Sequence, residues 1–94
     1  MSELGVVDNP RESRFELDVD GFKALACYRP AGGDRIVLTH TEVPEQLAGR
    51  GVGSKLARGV FETLRDTHRK AALECSFMAA YAAKHPELQD VVDA

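Results

Sequence analysis

The sequence predicts one small α/β domain of the α+β type, in which an antiparallel three-stranded sheet is extended by a parallel β-α-β crossover and followed by a C-terminal helix. Apolar and polar residues alternate from Arg14 to Asp20, as in a strand with one buried face. After Val52 the apolar residues recur at helical spacing. A short apolar run from Lys70 to Cys75 then returns the chain to the sheet.

The first three predicted strands are joined by short turns. Asp20-Gly21 is a hairpin signal between Arg14–Asp20 and a second strand, Phe22 to Arg29, and Pro30 to Asp34 has the proline and glycines of a turn. Arg35 to Glu42 is rich in β-branched residues and forms the third strand. Simple alternation along it predicts one face with Ile36, Leu38, His40 and Glu42, and another with Val37, Thr39 and Thr41.

The second half of the chain supplies the crossover and the last helix. The amphipathic helix should run from Val52 to about Thr67, and the fourth strand from Lys70 to Cys75. Because a helix separates the third and fourth strands, we expect them to be parallel. Ser76 can cap a second helix from about Phe77 to Lys84, which Pro86 ends.

Length and composition limit the function classes. The 94 residues suit a single domain, which we place at 14–88, with a mobile arm at 1–13 and an acidic tail at 89–94 that we expect to fray. A net charge of −3 argues against a nucleic-acid or membrane-surface partner. Without a signal peptide or membrane span in the sequence, we expect a cytoplasmic protein, as a monomer or weak dimer. Cys27 and Cys75 are expected to be thiols, and no Cys/His spacing indicates a metal site.

A glycine-rich stretch before the main helix is the strongest functional signal. Gly49, Gly51 and Gly53 alternate there with Arg50 and Val52. A glycine loop at a helix start presents free N–H groups and the positive end of the helix dipole, and both favour a phosphate. Arg50 adds a cation. The alternative is a helix entry in which glycine serves only its backbone freedom.

Two familiar phosphate loops fit this stretch poorly. A P-loop needs its lysine directly after the last glycine, whereas Ser54 precedes Lys55 here. A dinucleotide-binding fingerprint would use Gly49, Gly51 and Ser54, with Glu74 at a strand end as the acidic residue. That fold needs more than the one β-α-β unit predicted here, so it is kept only as an alternative.

A third reading covers nearly the whole chain, from about Phe15 to Leu88. Arg50-Gly51-Val52-Gly53 before an amphipathic helix resembles the acyl-CoA pyrophosphate loop of the GNAT N-acetyltransferase superfamily. The resemblance extends, in order, through His40-Thr41-Glu42-Val43-Pro44, Gly49 to Ser54, Cys75-Ser76-Phe77, Tyr81 and His85-Pro86-Glu87. This set is similar to the small single-domain GNAT-like proteins of the YjdJ type. Ala48 replaces the polar residue that usually begins the loop, and the first two helices of a full-size member are missing.

The resemblance implies a minimal GNAT-like fold that binds acetyl-CoA or coenzyme A. The pyrophosphate would lie on the loop, and the pantetheine amides would pair with the end of the third strand. His85, at the end of the last helix, is expected first as a helix cap and second as a ligand contact. The implied cofactor-binding residues are Thr41, Glu42, Val43, Gly49, Arg50, Gly51, Val52, Gly53, Ser54 and His85. The implied reaction moves an acetyl group to a primary amine of a small molecule or a protein lysine.

Four residues are candidates for catalysis. Cys75 ends a strand just before a helix, whose positive end favours the thiolate, and the resemblance implies acyl transfer through it. For direct attack by the amine, Glu42 and His40 are candidate bases and Tyr81 a candidate donor to the leaving thiolate. Each has a structural alternative: Cys75 as a packed thiol, Glu42 as a solvent-exposed carboxylate, His40 as a hydrogen-bonded imidazole and Tyr81 as a core residue. The whole-protein alternative is a CoA-binding or sensor module without turnover.

Overall fold

A computed structural model describes residues 5–93 of the chain as one sheet covered by helices on one face. Neither of its α-helices is long and apolar enough to cross a membrane. The elements are β1 (Val7–Asn9), β2 (Arg14–Val19), β3 (Phe22–Pro30), β4 (Arg35–Glu42), α1 (Val52–Asp66), β5 (Lys70–Leu73) and α2 (Ser76–Ala83). Two 3₁₀ segments, Glu45–Leu47 and Pro86–Val91, complete the chain.

The strand order in the sheet is β1-β2-β3-β4-β5. Strands β1 to β4 pair antiparallel, and β5 pairs parallel to β4 after the α1 crossover. The predicted crossover is therefore confirmed. The start of α2 differs from the prediction: Cys75, with an extended backbone, is the N-cap residue, and Ser76 is already helical and caps nothing with its side chain.

The hydrophobic core lies between the sheet and the two α-helices. Phe15 and Phe61 are fully buried there, from β2 and α1. Leu64, Met78 and Leu88 fill the remaining layers at 0% exposure. The opposite sheet face has no helix over it within residues 5–93. Val37 is nevertheless buried on that face, where Arg29 of β3 forms a two-pronged ion pair with Glu74, the residue after β5.

The predicted N-terminal arm is wrong for its described part. Residues 7–9 form the edge strand β1 on β2, and Val6 is buried in the core. Asp8 accepts a hydrogen bond from the Tyr28 hydroxyl at 2.7 Å and pairs with Arg69 at 3.0 Å. These contacts offset the cost of ordering a short polar strand, which alternation alone does not reveal. Residues 1–4 of the expected arm lie outside the described part.

The predicted frayed tail is also wrong as far as residue 93. Leu88 and Val91 are buried against the helices, and the Asp93 N–H donates to the Ala71 carbonyl at 2.8 Å. Arg65 binds the Asp90 carboxylate at 2.6 Å. Two apolar side chains on a 3₁₀ turn therefore hold this segment on the core, although its overall composition is acidic. Ala94 lies outside the described residues.

A β-bulge corrects the predicted faces of β4. Cys27 is paired with His40 and Tyr28 with Leu38, so Thr39 has no partner on β3 and the alternation shifts by one residue. The Thr39 hydroxyl donates to the Cys27 carbonyl at 3.3 Å. Ile36 and Leu38 face the core, but His40 and Glu42 face the open side of the sheet. Val37 and Thr41, which were predicted to share a face, are separated in the same way: Thr41 faces the helices, and Val37 faces the open side.

Candidate functional site

The two parallel strands separate at their carboxyl ends, where ligands commonly bind in sheets of this kind. β4 and β5 are paired only as far as Leu38 and Leu73, while β4 continues to Glu42. The chain then leaves the sheet, with the N–H groups of Glu74 and Cys75 both donating to the Leu38 carbonyl. Beyond Leu38, β4 has a strand only on its β3 side within the described chain. Such an edge can pair with an extended, amide-bearing ligand.

The N-terminus of α1 lies at the end of the glycine loop and carries no capping side chain. The first N–H that bonds back within the helix belongs to Lys55, which donates to the Gly51 carbonyl at 3.1 Å. The preceding N–H groups, of Val52, Gly53 and Ser54, are the ones that a helix leaves for other acceptors. No acidic residue stands in this first turn. The helix end therefore fits an anion in both geometry and charge.

Gly51 and Gly53 are glycines for different reasons. Gly51 has φ +70°, which side-chain-bearing residues adopt at a cost, and a Cβ there would meet no atom within 4 Å. Gly53 is helical, but its Cβ would lie 2.9 Å from the tip of the Phe77 ring. Open space at Gly51 leaves room for a ligand, whereas a side chain at Gly53 would have to displace the Phe77 ring of α2.

Arg50 does not point freely into solvent. Its guanidinium lies 2.7 Å from the Asp20 carboxylate, in the turn between β2 and β3. Both side chains are about half exposed or more. The Arg50 guanidinium is therefore paired with the hairpin, and an anion at the glycine loop would have to compete with Asp20 for it.

A cleft of about 290 Å³ runs from the start of α1 along one face of α2. Its lining residues are Ser54, Phe77, Ala80, Tyr81, Lys84 and His85. The predicted residues Ser54, Tyr81 and His85 are thus brought together here. Phe77, Ala80 and Lys84 were not predicted as site residues. Phe77 stands four residues before Tyr81 and Lys84 three after it, while Ala80 stands three after Phe77, which is the spacing of one helical face.

Tyr81 and His85 form a stacked pair at the edge of this cleft. Their ring centroids are 4.1 Å apart, and Tyr81 also stacks on Phe61 of the core at 6.1 Å. Glu87 accepts from the Arg58 guanidinium at 2.8 Å and lies 3.3 Å from the His85 ring. The Arg58 hydrogen bond lowers the pKa of Glu87, so Glu87 stays anionic beside the imidazole. Arg58 is consequently occupied with Glu62 and Glu87 rather than free for a nucleotide phosphate.

Cys75 and Thr41 meet where β4 and β5 separate. The Cys75 sulfur lies 3.1 Å from the Thr41 hydroxyl oxygen, and Cys75 is only 7% exposed. Cys27 differs, because it faces the open side of the sheet opposite His40. Burial and then the Glu42 carboxylate raise the pKa of the Cys27 thiol, which disfavours it as a nucleophile.

His40 and Glu42 lie on the opposite side of the sheet from Cys75. Their side chains are about 60% exposed and 3.5 Å apart, and Val43 after them is also exposed. The structure thus separates the predicted catalytic residues into the Cys75 side and the His40 and Glu42 side of β4. Tyr81 belongs to the helix side with Cys75.

A larger hollow, of about 430 Å³, lies at the other end of the sheet. It is lined by the β3–β4 turn and the start of β5, including Arg35, His68 and Lys70. This end holds the amino ends of the parallel strands and the carboxyl end of α1, so it lacks the free N–H groups and the positive helix end. Size alone therefore does not identify the site.

Comparisons with known proteins agree with this geometry. A sequence model described as GCN5-related N-acetyl-transferase matches residues 14–91. Protein NATD1 of Homo sapiens is 30% identical over 85 residues, covering 88% of this chain and 75% of that protein. Protein NATD1 of Xenopus tropicalis is 28% identical over 87 residues, covering 90% and 80%.

Among solved structures, the solution structure of a GCN5-like protein from Staphylococcus aureus superimposes with a TM-score of 0.70 at 32% identity. The match covers 100% of this chain and 92% of that one. The minimal GNAT-like fold expected from the sequence is thereby confirmed. With the family model spanning most of the chain, the protein is a small member of the GCN5-related N-acetyltransferase family.

Proposed function

We propose that this protein binds acetyl-CoA and transfers the acetyl group to a primary amine, on a small molecule or a protein lysine. The observation that carries the proposal is the uncapped N-terminus of α1 beside the open edge of β4. The first suits a pyrophosphate and the second an extended chain with amide groups. A cytoplasmic location stays a prediction from composition.

Each part of the site has a separate task in binding. The N–H groups of Val52, Gly53 and Ser54 would hold the pyrophosphate, with Gly49, Arg50 and Gly51 in the approach. The Arg50 N–H itself donates to the Leu47 carbonyl at 3.4 Å. The backbone of Thr41, Glu42 and Val43 would pair with pantetheine. The cleft beside Tyr81 and His85 offers a stacked aromatic pair and the Lys84 cation to the rest of the nucleotide.

One route uses Cys75 as a carrier. When bound, acetyl-CoA supplies an acetyl thioester, and the Cys75 sulfur would form a new C–S bond to the acetyl carbon. The C–S bond to coenzyme A breaks, and the proton from Cys75 goes to the leaving sulfur. A neutral amine then attacks the Cys75 thioester, which yields the amide and restores the Cys75 thiol.

The other route needs no carrier. A base on the open face of the sheet, Glu42 or His40, would take a proton from the ammonium of the acceptor, directly or through water. Tyr81 lies on the helix side of β4 and would donate to the leaving sulfur from there. The two routes thus place the acceptor differently relative to the sheet.

The binding proposal is tested by two variants of one residue. Gly51→Asn and Gly51→Asp have nearly the same shape, and both residues tolerate positive φ and N-cap positions better than most. Only aspartate adds a negative charge where the pyrophosphate would lie. Calorimetric titration with coenzyme A should show clear binding to the wild type, weaker binding to Gly51→Asn, and at least about tenfold weaker binding again to Gly51→Asp.

Equal affinity of the two variants would contradict the cradle. Circular dichroism of each variant shows whether the helix content is intact. If the wild type fails to bind coenzyme A at millimolar concentration, the proposed function itself is wrong.

A second candidate is a CoA-binding module without turnover. The separation of Cys75 from His40 and Glu42 across the sheet favours it, because the candidate nucleophile and the two candidate bases do not share one cluster. Intact-mass analysis after incubation with acetyl-CoA separates the candidates. An acetyl group on Cys75 supports the carrier route, while binding with neither acetylated protein nor amine-dependent release of coenzyme A supports the module.

A further inference from the structure

The contact between Thr41 and Cys75 depends on the bulge in β4. Without the unpaired Thr39, Thr41 would face the open side of the sheet, away from Cys75. With it, the Thr41 hydroxyl oxygen lies 3.1 Å from the Cys75 sulfur, where β4 and β5 separate. The fold therefore brings a hydroxyl to the one cysteine that lies beside the proposed thioester site.

Cys75 is fixed in place by its backbone. Its N–H donates to the Leu38 carbonyl at 2.9 Å, and its carbonyl accepts from the Ala79 N–H at 3.0 Å. Its side chain does not cap α2. Among the described residues, the hydrogen-bond partner of the thiol is the Thr41 hydroxyl.

Ionisation gives this contact a direction. In the neutral pair either group can donate, but a thiolate can only accept. A hydrogen bond to the charged form favours that form, and it is stronger than one between neutral groups. The hydroxyl therefore stabilises Cys75 more as a thiolate than as a thiol.

We infer that Thr41 is a positioning residue, whose hydroxyl orients the Cys75 sulfur and stabilises its thiolate. The inference rests on the proposed function insofar as it gives Cys75 the role of acyl carrier. It adds a side-chain role for Thr41, distinct from any pairing of its backbone with a ligand.

The test is the pH–rate profile for alkylation of Cys75 by iodoacetamide, followed by peptide-level mass spectrometry to separate Cys75 from Cys27. Thr41→Val keeps the side-chain shape and removes the hydroxyl; Thr41→Ser keeps the hydroxyl. We expect the midpoint of the Thr41→Val profile to rise by about one to two pH units, with a roughly 10- to 100-fold lower rate near neutral pH. Thr41→Ser should restore the wild-type midpoint.

The profile distinguishes this role from a merely structural one. A change in access to the thiol alters the rate at high pH, where all Cys75 is ionised, but leaves the midpoint in place. Ultraviolet absorbance of the thiolate in a Cys27→Ser background measures the same midpoint without any need for access. If Thr41→Val does not fold, Thr41→Ala serves as the variant without a hydroxyl.

Two results would overturn the inference. One is a Thr41→Val midpoint equal to that of the wild type, and the other is a Thr41→Ser midpoint displaced as far as that of Thr41→Val. These measurements contain no coenzyme A. Failure of the wild type to bind coenzyme A would thus defeat the proposed function. The alkylation midpoints of the Thr41 variants would still decide whether Thr41 acts on the thiol.

Discussion

Asp20 pairs with Arg50 and would therefore limit how much of the Arg50 charge the proposed pyrophosphate can use. The two side chains are 2.7 Å apart, and the Asp20 carboxylate also places a negative charge near the glycine loop. Asp20→Asn removes both effects, and asparagine tolerates the positive φ of this position. We expect coenzyme A to bind up to about fivefold more tightly, the range set by an exposed ion pair.

Asp18→Asn is the matched control for this prediction. Asp18 belongs to the same hairpin, but its partner is Lys23 rather than Arg50. The affinity of the Asp18→Asn variant for coenzyme A, measured by calorimetry, should equal that of the wild type. A gain of the same size in both variants would show that general charge, and not release of Arg50, is responsible.

Glu16 couples stability to pH. Hydrogen bonds from Arg14 and Asn9, and then Lys23, lower the pKa of Glu16 to about 2 from an ordinary 4.5. Since the folded-state value is the lower one, the stabilisation is complete above pH 4.5 and is lost as the pH falls from 4.5 towards 2. Glu16→Gln should therefore be less stable than the wild type at neutral pH.

The measurement is urea unfolding as a function of pH. The free energies of unfolding of the wild type and Glu16→Gln should converge as the pH falls towards 2. A constant difference across the whole range would show that the amide disturbs packing and that the carboxylate charge contributes nothing.

At the residue scale, local neighbours along the chain were easier to predict than contacts made across the fold. Ser54, Tyr81 and His85 lie together because helical spacing and the glycine loop are local features. The contact of Thr41 with Cys75 and the pairing of Arg50 with Asp20 were not predictable. The first depends on a one-residue bulge, and the second joins a hairpin and a loop that are remote in sequence.

The contact of α1 with α2 is an element-scale feature in which the Phe77 ring lies directly over Gly53. The Cβ of an alanine at Gly53 would lie 2.9 Å from the Phe77 ring, which is 40% exposed and can move. Alanine also reduces the entropy of the unfolded chain, which stabilises a protein by roughly 0.4–1 kcal/mol where the backbone allows it. In the wild-type background the two effects oppose each other.

A double-mutant cycle separates them. Gly53→Ala should change the free energy of unfolding little in the wild type and increase it in a Phe77→Ala background. We expect a coupling energy of at least about 0.5 kcal/mol in chemical denaturation, as for residues in contact. Additive effects would mean that Phe77 does not limit the residue at position 53.

The boundaries of two elements were predicted correctly from local sequence patterns. β4 and the start of α1 agree with the prediction residue for residue, because alternation and helical spacing begin and end sharply there. The faces of β4 were wrong, since a bulge leaves no mark on hydrophobicity in this strand. The prediction of Ser76 as the cap was wrong, because the N-cap is the residue with non-helical backbone geometry before the helix, and that residue is Cys75.

At the scale of the whole molecule, the C-terminal segment completes the core. Leu88 is fully buried, and Pro86–Val91 packs on both α-helices and β5. We expect Leu88→Ala to lower the free energy of unfolding by about 2–5 kcal/mol, as for a large side chain removed from a core.

Asp90→Asn is the control on the same turn. Its carboxylate pairs with Arg65 on the surface, so the variant should lose much less stability in the same urea titration. Comparable losses for the two variants would contradict the assignment of this segment to the core.

The fold as a whole was predictable, and its two ends were not. The β-α-β crossover and the antiparallel hairpins follow from periodicity and turn residues near in sequence. The ends join the domain through contacts that link distant parts of the chain, such as Asp8 with Arg69 and Asp93 with Ala71. The polar composition predicted disorder at both ends, but a few buried side chains hold their described parts on the core.

The most direct test of coenzyme A binding at the carboxyl ends of β4 and β5 is an amide NMR titration of the ¹⁵N-labelled protein. We predict that coenzyme A shifts two groups of N–H signals most strongly: those of Val52, Gly53 and Ser54, and those of Thr41 to Val43. Signals from Ala31 to Arg35, at the opposite end of the sheet, should stay in place. Shifts confined to that opposite end, or none at millimolar ligand, would contradict the account.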